Sequence, residues 1–179
     1  MPPPLENFID ALHRSRGLAH KRDIAAAVAA LGIAGPQAAI AAGDDCAAIA
    51  DGEGFLLLAI EGFMNEFVAH DPWFAGWCGV MVNASDIYAM GGRPIAVVDA
   101  IWGRDPARLQ PVLEGMAAAS ARYGIPIVGG HSNARSAQEQ LSVAILGRAR
   151  RLLTSFDAHP GDVLLVAIDL RGAYRAPSS

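Results

Sequence analysis

Residues 72–94 form an almost uniformly apolar segment, and a helix of that kind must be covered by other parts of the chain. The run begins at Asp71-Pro72 and ends before Gly91-Gly92-Arg93-Pro94, and both boundaries are typical of helix ends. With about 100° between successive residues, a wide stripe carries Trp73, Trp77, Val80, Ala84, Ile87 and Tyr88. We expect this stripe to pack on a β-sheet.

The same helix has a second, narrower arc that gathers Gly76, Gly79, Asn83, Asp86 and Met90. Side chains three and four residues apart are neighbours on a helix, so Asn83 and Asp86 can present two oxygen ligands together. Burying an amide and a carboxylate in an apolar helix is costly unless something binds them. The pattern favours a ligand-binding position, with a helix cap or a solvated patch as the alternative.

Apolar runs bounded by turn residues predict the other elements. The expected helices are residues 5–16, 19–31 and 106–123. The expected strands are residues 46–50, 55–60, 95–102, 125–128 and 141–146, with a polar loop at 131–140. The order β-β-α-β-α-β-β predicts a mixed β-sheet with helices on one face, an α+β layered fold. Because residues 55–60 show no polar alternation, we expect that strand to be covered on both faces.

The last part of the chain predicts the beginning of a further unit. Pro160-Gly161-Asp162 is a turn signal, and residues 163–168 form a strand candidate with no partner elements after it. We therefore expect residues 1–37 to be a helical segment and residues 38–155 to be the main domain. Residues 156–179 are expected to start a C-terminal domain that this chain lacks.

Charge and composition argue against several classes of protein. The chain of 179 residues has 14 basic and 18 acidic side chains, a net charge of −4, which gives no basic footprint for nucleic acid or anionic membrane. No apolar run approaches the roughly 18 residues of a membrane span. Cys46 and Cys78 lack the spacing of a zinc site or a disulfide framework. We expect a cytoplasmic protein that binds neither nucleic acid nor membrane.

Three polar clusters interrupt the apolar framework. They are Gly43-Asp44-Asp45, the pair Asn83 and Asp86, and residues 129–133, while Glu61 follows the strand at 55–60. Carboxylates at strand ends and loops commonly hold Mg²⁺, with phosphate oxygens completing the shell. The two familiar glycine motifs for phosphate, Gly-x-x-x-x-Gly-Lys-Ser/Thr and Gly-x-Gly-x-x-Gly, are absent. Phosphate recognition is therefore expected to depend on metal held by carboxylates.

These segments resemble the AIR-synthase-like superfamily, which includes aminoimidazole ribonucleotide synthetase, thiamine-monophosphate kinase and selenophosphate synthetase. The resemblance lies in residues 43–47, 82–94, 129–130 and 160–162, in both their order and their approximate spacing. It implies an N-terminal domain that dimerises by pooling strands of two chains into a barrel. It also implies ATP in a cleft near the dimer interface, with Mg²⁺ bridging its phosphates to aspartates.

The resemblance also implies roles for individual residues. The expected metal ligands are oxygen donors, namely Asp44, Asp45, Glu61 and Asp86. The residues expected to contact ATP are Asn83, Gly129 and Gly130. The residues expected to border the γ-phosphate as catalytic groups are His131 and Asn133.

Two departures from the family leave two functions open. Glu61 and His131 stand where the family often has aspartates, and losing a carboxylate to imidazole weakens the preference for Mg²⁺. One function is the Mg²⁺-dependent ATP-binding domain of a phosphoryl-transfer or ATP-activating enzyme, a homodimer acting on a small-molecule phosphoryl acceptor. The alternative is a dimeric nucleotide-binding or scaffold module that has lost the chemistry.

Other polar and aromatic residues have structural alternatives to a functional role. Glu66 and His70 have the spacing of a metal pair, but a helix start at Asp71-Pro72 also explains this segment. Arg148, Arg150 and Arg151 either bind phosphate or form the solvated exit of a strand. His131 is either a ligand or general base, or a hydrogen-bonded loop residue. The residues expected to be core or dimer contacts are Trp73, Trp77 and Trp102.

Overall fold

The computed structural model describes residues 4–15, 23–33 and 42–172. The chain divides into two units between Gly43 and Asp44. The first unit contains the helices α1 (Leu5–Arg14) and α2 (Asp23–Leu31), which confirm two helices predicted from the sequence. The predicted beginning of the second helix, residues 19–22, and the predicted domain boundary at residues 37 and 38 lie outside the described residues.

The second unit is built on a five-stranded sheet. Its strands are β1 (Ala47–Asp51), β2 (Gly54–Phe63), β3 (Arg93–Trp102), β4 (Ile127–Asn133) and β5 (Gln140–Ala149). Its helices are α3 (Asn65–His70), α4 (Pro72–Ala89) and α5 (Pro106–Tyr123), and a 3-10 helix (Ser155–Asp157) follows β5. The strand order is β1-β2-β5-β3-β4, and β3 and β4 run parallel while the other pairs are antiparallel. The mixed α+β sheet predicted from the sequence is confirmed.

Local capping explains where the two long helices begin and end. Asp71 starts α4 by accepting a hydrogen bond from the Phe74 N–H at 3.4 Å, and Asp105 starts α5 by accepting one from the Arg108 N–H at 3.0 Å. A proline occupies the first turn of each helix. Gly124 ends α5 in the left-handed conformation, with a φ of +67°. The predicted bounds of α5, residues 106–123, are confirmed.

Glycines let α4 approach both of its neighbours closely. A Cβ at Gly76 would collide with the carbonyl oxygen of Val112 in α5. One turn further along α4, a Cβ at Gly79 would lie 2.8 Å from Cγ2 of Val143 in β5. The backbone of α4 therefore lies directly against α5 at Gly76 and against the sheet at Gly79.

This packing corrects the predicted orientation of α4. The arc with Gly79 and Asn83 faces the sheet, whereas Trp77 contacts Tyr123 of α5 with 5.9 Å between ring centroids. The prediction that this stripe packs on the sheet is wrong for Trp77, because the small side chains of the arc permit a closer helix–sheet approach than indole rings do. Ile87 of the same stripe does pack on the sheet, against Gly147 of β5. Trp73 and Trp77 stack on each other at 5.5 Å between their ring centroids.

Within the described part of the second unit, one face of the sheet is covered by helices and the other is open. On the covered face, Val143 of β5 is fully buried. On the open face, Leu58 is 42% exposed and Ile60 is 70% exposed. The prediction that residues 55–60 are covered on both faces is therefore wrong within the second unit, since α4 packs on one face of the sheet only.

Two further predictions differ from the structure. Residues 131–133 belong to β4 rather than to a loop, because they pair with residues 100–102 of β3. Residues 163–168 are not a strand, and their large apolar side chains are between 70% and 88% exposed. The described chain places no neighbouring strand beside this segment, and a strand needs such a partner for its backbone hydrogen bonds.

None of the helices in the described ranges combines the length and the apolar character that crossing a bilayer requires.

Candidate functional site

The carboxylate of Asp44 ties the segment before β1 to the 3-10 helix. Its Oδ2 accepts a hydrogen bond from the backbone N–H of Ser155 at 3.1 Å, and its Oδ1 accepts one from the Ser155 hydroxyl at 2.9 Å. The backbone N–H of Asp45 also donates to Asp44 Oδ1, at 3.1 Å. Asp44 is half-buried and Asp45 is exposed, so one acid is held in place while its neighbour faces solvent.

Three of the predicted metal ligands lie within electrostatic range of the Cys46 thiol. Cys46 is 4% exposed, and burial is the main cause that raises its pKa to about 12. The carboxylates of Asp86, Asp45 and Asp44 raise that pKa further, because each of them disfavours a nearby thiolate. Asp86 is half-buried on α4, while the other two acids precede β1. The fold therefore brings together acids from two distant segments.

These acids do not by themselves form a complete metal site. Within residues 4–15, 23–33 and 42–172, no group of three His, Cys, Asp or Glu side chains is placed to hold a metal ion. Both oxygens of Asp44 are engaged by Ser155. Mg²⁺ commonly binds through one or two carboxylates and completes its shell with waters and phosphate oxygens. The donor set fits Mg²⁺ of that kind, and it does not resemble a cage made by protein ligands alone.

Glu61 lies within β2, where the sequence placed it after the strand, and it is half-buried on the helix-covered face. Glu61 pairs with Val143 in β5. Val143 pairs with Asp99 in β3, and Asp99 pairs with Gly130 in β4. Three strand spacings of about 4.8 Å put roughly 14 Å between the backbones of Glu61 and Gly130. The structure therefore spreads these predicted site residues along one row of the sheet.

Gly129, Gly130 and His131 lie on β4, at the edge of the sheet. His131 pairs with Ala100 of β3, one position beyond the pair of Asp99 and Gly130, so its side chain projects from the open face, opposite to Glu61. The His131 ring lies 6.0 Å from the ring of Trp102, measured between centroids. The structure therefore does not bring His131 together with Glu61.

Asn133 closes the turn that follows β4. Its Oδ1 accepts a hydrogen bond from the backbone N–H of Arg135 at 2.9 Å, and its backbone carbonyl accepts one from Gly103 at 2.9 Å. This pattern is that of an asparagine that stabilises a turn through its own side chain. Asn133 holds the end of β4 in place, next to His131.

Asn83 is fully buried between α4 and the sheet, and it is the only polar side chain buried to that degree among the described residues. Its Nδ2 donates to the carbonyl oxygens of Gly79 at 2.8 Å and Val143 at 3.1 Å. Its Oδ1 has no hydrogen-bond partner, which leaves a desolvated acceptor in the core. Asn83 thus joins α4, and with it Asp86, to β5.

Asp99 is a candidate site residue to which the sequence patterns did not point. It lies on the helix-covered face of β3, where burial raises the pKa of its carboxyl and a hydrogen bond from its own backbone N–H opposes that rise. A Cβ at Gly130 would lie 2.8 Å from the Asp99 Cγ, so only glycine fits at position 130 without moving this carboxylate. The available signal was an acidic residue in the middle of an apolar strand.

The alternatives for Glu66, His70 and Asp71 are decided by helix geometry. Glu66 and His70 are both exposed on the short helix α3, which the sequence did not predict. Asp71 caps the following helix, so the predicted helix start at Asp71-Pro72 is confirmed. This segment is accounted for by two consecutive helices.

Comparison with known families matches residues 43–149 to the model described as AIR synthase related protein, N-terminal domain. The chain belongs to this family. The matched range contains every site residue predicted from the sequence, and the resemblance inferred from the motifs is confirmed. The candidate site therefore lies in the part of the chain that is AIR-synthase-related.

Three relatives of this AIR-synthase-related chain come from different organisms. "Uncharacterized protein sll0787" of Synechocystis sp. is 52% identical over 173 residues, which cover 96% of this chain and 54% of the relative. A selenide, water dikinase of Myxococcus xanthus is 32% identical, covering 74% of this chain and 39% of the relative. A thiamine-monophosphate kinase of Pyrococcus horikoshii is 30% identical, covering 73% and 44%. The chain spans about half the length of these relatives, or less.

Solved structures show the same fold. The crystal structure of tt0281 from Thermus thermophilus has a TM-score of 0.63 at 29% identity, and covers 72% of this chain and 43% of that one. The structure described as AaThiL complexed with AMPPCP and TMP has a TM-score of 0.58 at 22% identity, and covers 71% and 41%. The chain is thus an AIR-synthase-family domain whose relatives include kinases.

Proposed function

We propose that this chain is the ATP-binding N-terminal domain of a Mg²⁺-dependent enzyme that transfers a phosphoryl group or activates a substrate with ATP. The observation that carries the proposal is that Asp44, Asp45 and Asp86, from two distant segments, all act electrostatically on the buried Cys46 thiol. The relatives named as kinases support it, as does the neighbour complexed with AMPPCP and TMP. The full activity is assigned to the whole protein, because the chain spans only part of its relatives' length.

In this proposal, Asp44, Asp45 and Asp86 hold Mg²⁺ together with the phosphates of ATP. The ion supplies neutralisation of the triphosphate charge, on which phosphoryl transfer largely depends. Ser155 orients Asp44 through two hydrogen bonds, and Asn83 fixes the helix that carries Asp86. The carboxylates are therefore positioned before a ligand binds, which reduces the cost of assembling the site.

The remaining roles stay predictions. Glu61 is a further metal ligand, and Gly129 and Gly130 contact ATP. Asn83, predicted from the sequence as a third ATP contact, is fully buried and contributes instead by holding α4 against β5. His131 and Asn133 border the γ-phosphate. The phosphoryl acceptor is a small molecule, and we propose that the protein works as a homodimer in the cytoplasm, without nucleic acid or membrane as partner. A second copy of the chain would cover the open face of the sheet, where Ile60 is 70% exposed.

Calorimetric titration of the 179-residue chain with ATP, with and without MgCl₂, tests the proposal. We expect binding that requires Mg²⁺, and we expect Asp86→Asn to weaken it at least about tenfold, or ~1.4 kcal/mol, because a charged ligand becomes a neutral amide. Glu114→Gln removes one charge from an exposed position on α5 and should leave the affinity unchanged. Absence of ATP binding by the native chain, or equal affinity in native and Asp86→Asn chains, would contradict the proposal.

The alternative is a non-catalytic module that keeps nucleotide binding and the dimeric scaffold. It is favoured by one observation: Glu61 and His131, the two positions that depart from the family, lie on opposite faces of the sheet. Phosphate release from ATP should be measured with amines, carboxylates and phosphomonoesters as candidate acceptors. Release above the level of the Asp86→Asn variant supports the enzyme, whereas nucleotide binding without release supports the module.

A further inference from the structure

Two arginines stand directly opposite each other where β3 begins and β5 ends. Arg93 pairs in register with Arg148, and both side chains are exposed on the same side of the sheet. Like charges placed directly opposite on neighbouring antiparallel strands destabilise a sheet. This pair therefore calls for a compensating negative charge.

The protein supplies only part of that charge. Asp51 forms an ion pair with Arg148, with 2.6 Å between Oδ2 and Nη2. Arg150 and Arg151 follow β5 directly, and in the part of the chain that the structure describes neither they nor Arg93 form an ion pair with a carboxylate. Among the described residues, only Arg148 of this cluster of four arginines therefore has a carboxylate as an ion-pair partner.

A groove of about 540 Å³ opens beside this cluster, and we call it the arginine groove. It is lined by Arg93, Arg148 and Arg150 together with apolar groups that include Pro94 and Ile95, and it has no acidic side chain in its lining. Positive charge on one side and apolar surface on the other suit a ligand that is itself part anion and part apolar.

A second groove of about 530 Å³ adjoins the first and differs from it in charge. It shares Arg148 and Arg150 and adds Arg151, but its lining also contains Asp51 and Glu53. Its two carboxylates offset most of its positive charge. An anion is therefore expected in the arginine groove rather than in this one.

Contacts on both sides fix the backbone that carries Arg150. The N–H of Leu153 donates to the carbonyl of Met90 at 3.2 Å, at the end of α4. On the other side, a Cβ at Gly54 would lie 2.7 Å from the carbonyl oxygen of Ala149. The arginines therefore extend from a positioned backbone, which distinguishes them from charges on a free tail.

We propose that the arginine groove binds a phosphorylated small molecule, with the phosphate among Arg93, Arg148 and Arg150 and the organic part against Pro94 and Ile95. A guanidinium offers parallel N–H groups that match two phosphate oxygens, and it remains charged at every physiological pH. The groove lies where β3 begins and β5 ends, and the segment that follows β5 continues from Arg150 to Ser155, which holds Asp44 of the proposed ATP site. This site goes beyond the proposed function, because its arginines bind a phosphate without Mg²⁺.

Calorimetric titration of the 179-residue chain with phenyl phosphate, without Mg²⁺ and at fixed ionic strength, tests the site. We expect saturable binding of one molecule per chain, weakened at least about fivefold by Arg93→Gln or by Arg150→Gln, because each variant removes a charge-assisted hydrogen bond. Arg122→Gln loses the same charge from an exposed position on α5 and should bind as the native chain does. Equal losses in all three variants, or heats that never saturate, would overturn the proposal.

Two further measurements test whether the groove selects phosphate and whether it is independent of the ATP site. Benzoate carries a carboxylate in place of the phosphate, and binding as tight as that of phenyl phosphate would overturn the assignment to phosphate. Asp86→Asn should leave phenyl phosphate binding intact, so failure of the ATP site and failure of the arginine groove are distinguishable. The melting temperature of Arg93→Gln in phosphate-free buffer shows whether weak binding comes from poor folding. A melting temperature below that of the native chain would also overturn the proposal. We expect that temperature to stay equal or rise, because a like-charge pair is removed.

Discussion

Asn83 shows how one side chain can connect the core to the candidate site. Its amide nitrogen donates to two carbonyl oxygens, those of Gly79 and Val143. The side-chain atom at this position must therefore be a hydrogen-bond donor. A carboxylate of the same shape would face two acceptors without solvent. The residue therefore holds α4 against β5 through hydrogen bonds that its closest isostere is unable to make.

Asn83→Asp is expected to lower the free energy of unfolding by roughly 3 kcal/mol, because it leaves a buried charge without a partner. Urea denaturation measures this change. Asn133→Asp is the matched control, since the exposed Asn133 uses only its Oδ1, as an acceptor from Arg135, and a carboxylate keeps that bond. Similar losses of stability in the two variants would show that the buried donor contacts are not the cause.

At the scale of elements, the contact between α4 and α5 depends on glycine. Gly76 of α4 lies against the carbonyl of Val112, and Gly115 of α5 lies against the carbonyl of Trp73. Neither position leaves room for a side chain, so the two helices touch backbone to backbone. Such a contact fixes the spacing between helices more tightly than interdigitated side chains do.

Gly115→Ala should destabilise the protein although it raises helix propensity. The added methyl group would overlap the carbonyl oxygen of Trp73, and overpacking of this kind costs about 1 to 3 kcal/mol or more, which offsets the gain of about 1 kcal/mol in propensity. Thermal unfolding should show a lower midpoint for this variant. Ala117→Leu adds a larger group at an exposed position of the same helix and should change stability by less than about 0.5 kcal/mol. A Gly115→Ala protein as stable as the native one would refute the backbone contact.

At the scale of the whole molecule, the two faces of the sheet differ in how far they are buried. Helices bury Val97, Val143 and Ile145 on one face, while Leu58 and Ile60 stay exposed on the other. An open apolar sheet face of this kind is a common site for association. Since the family resemblance implies a shared barrel, we expect a second copy of this chain to cover it.

Ile60→Lys should therefore convert a homodimer into a monomer, because the lysine would bury a charge within the interface. Size-exclusion chromatography with light scattering measures the mass directly. Leu113→Lys places the same charge on a partly exposed apolar position of α5, where Leu113 is 38% exposed, and should leave the mass unchanged. A native chain that elutes as a monomer, or an Ile60→Lys variant that stays dimeric, would rule out this face as the dimer interface.

The sequence by itself predicted the five strands of the sheet and its two long helices in their order, but not α3. It also singled out the acidic residues that precede β1 and the one on α4. Capping by Asp105 and Gly124 defines α5 locally, and such signals act through neighbours in the chain. Asp86 stood out because a carboxylate in an apolar helix is costly, and Asp44 and Asp45 stood out because carboxylates at strand ends and loops commonly hold Mg²⁺. All three act electrostatically on the Cys46 thiol.

Only the tertiary structure decided which faces meet and which groups share a neighbourhood. Gly79 and Asn83 of α4 face the sheet because packing distance, a property of two elements together, outweighs the width of an apolar stripe. Asp99 acquired its raised pKa from burial beside Gly130, on a neighbouring strand. Residues 163–168 have the composition of a strand, but a strand forms only where another strand accepts its hydrogen bonds. Pairing and burial involve residues distant in the chain, so local patterns do not specify them.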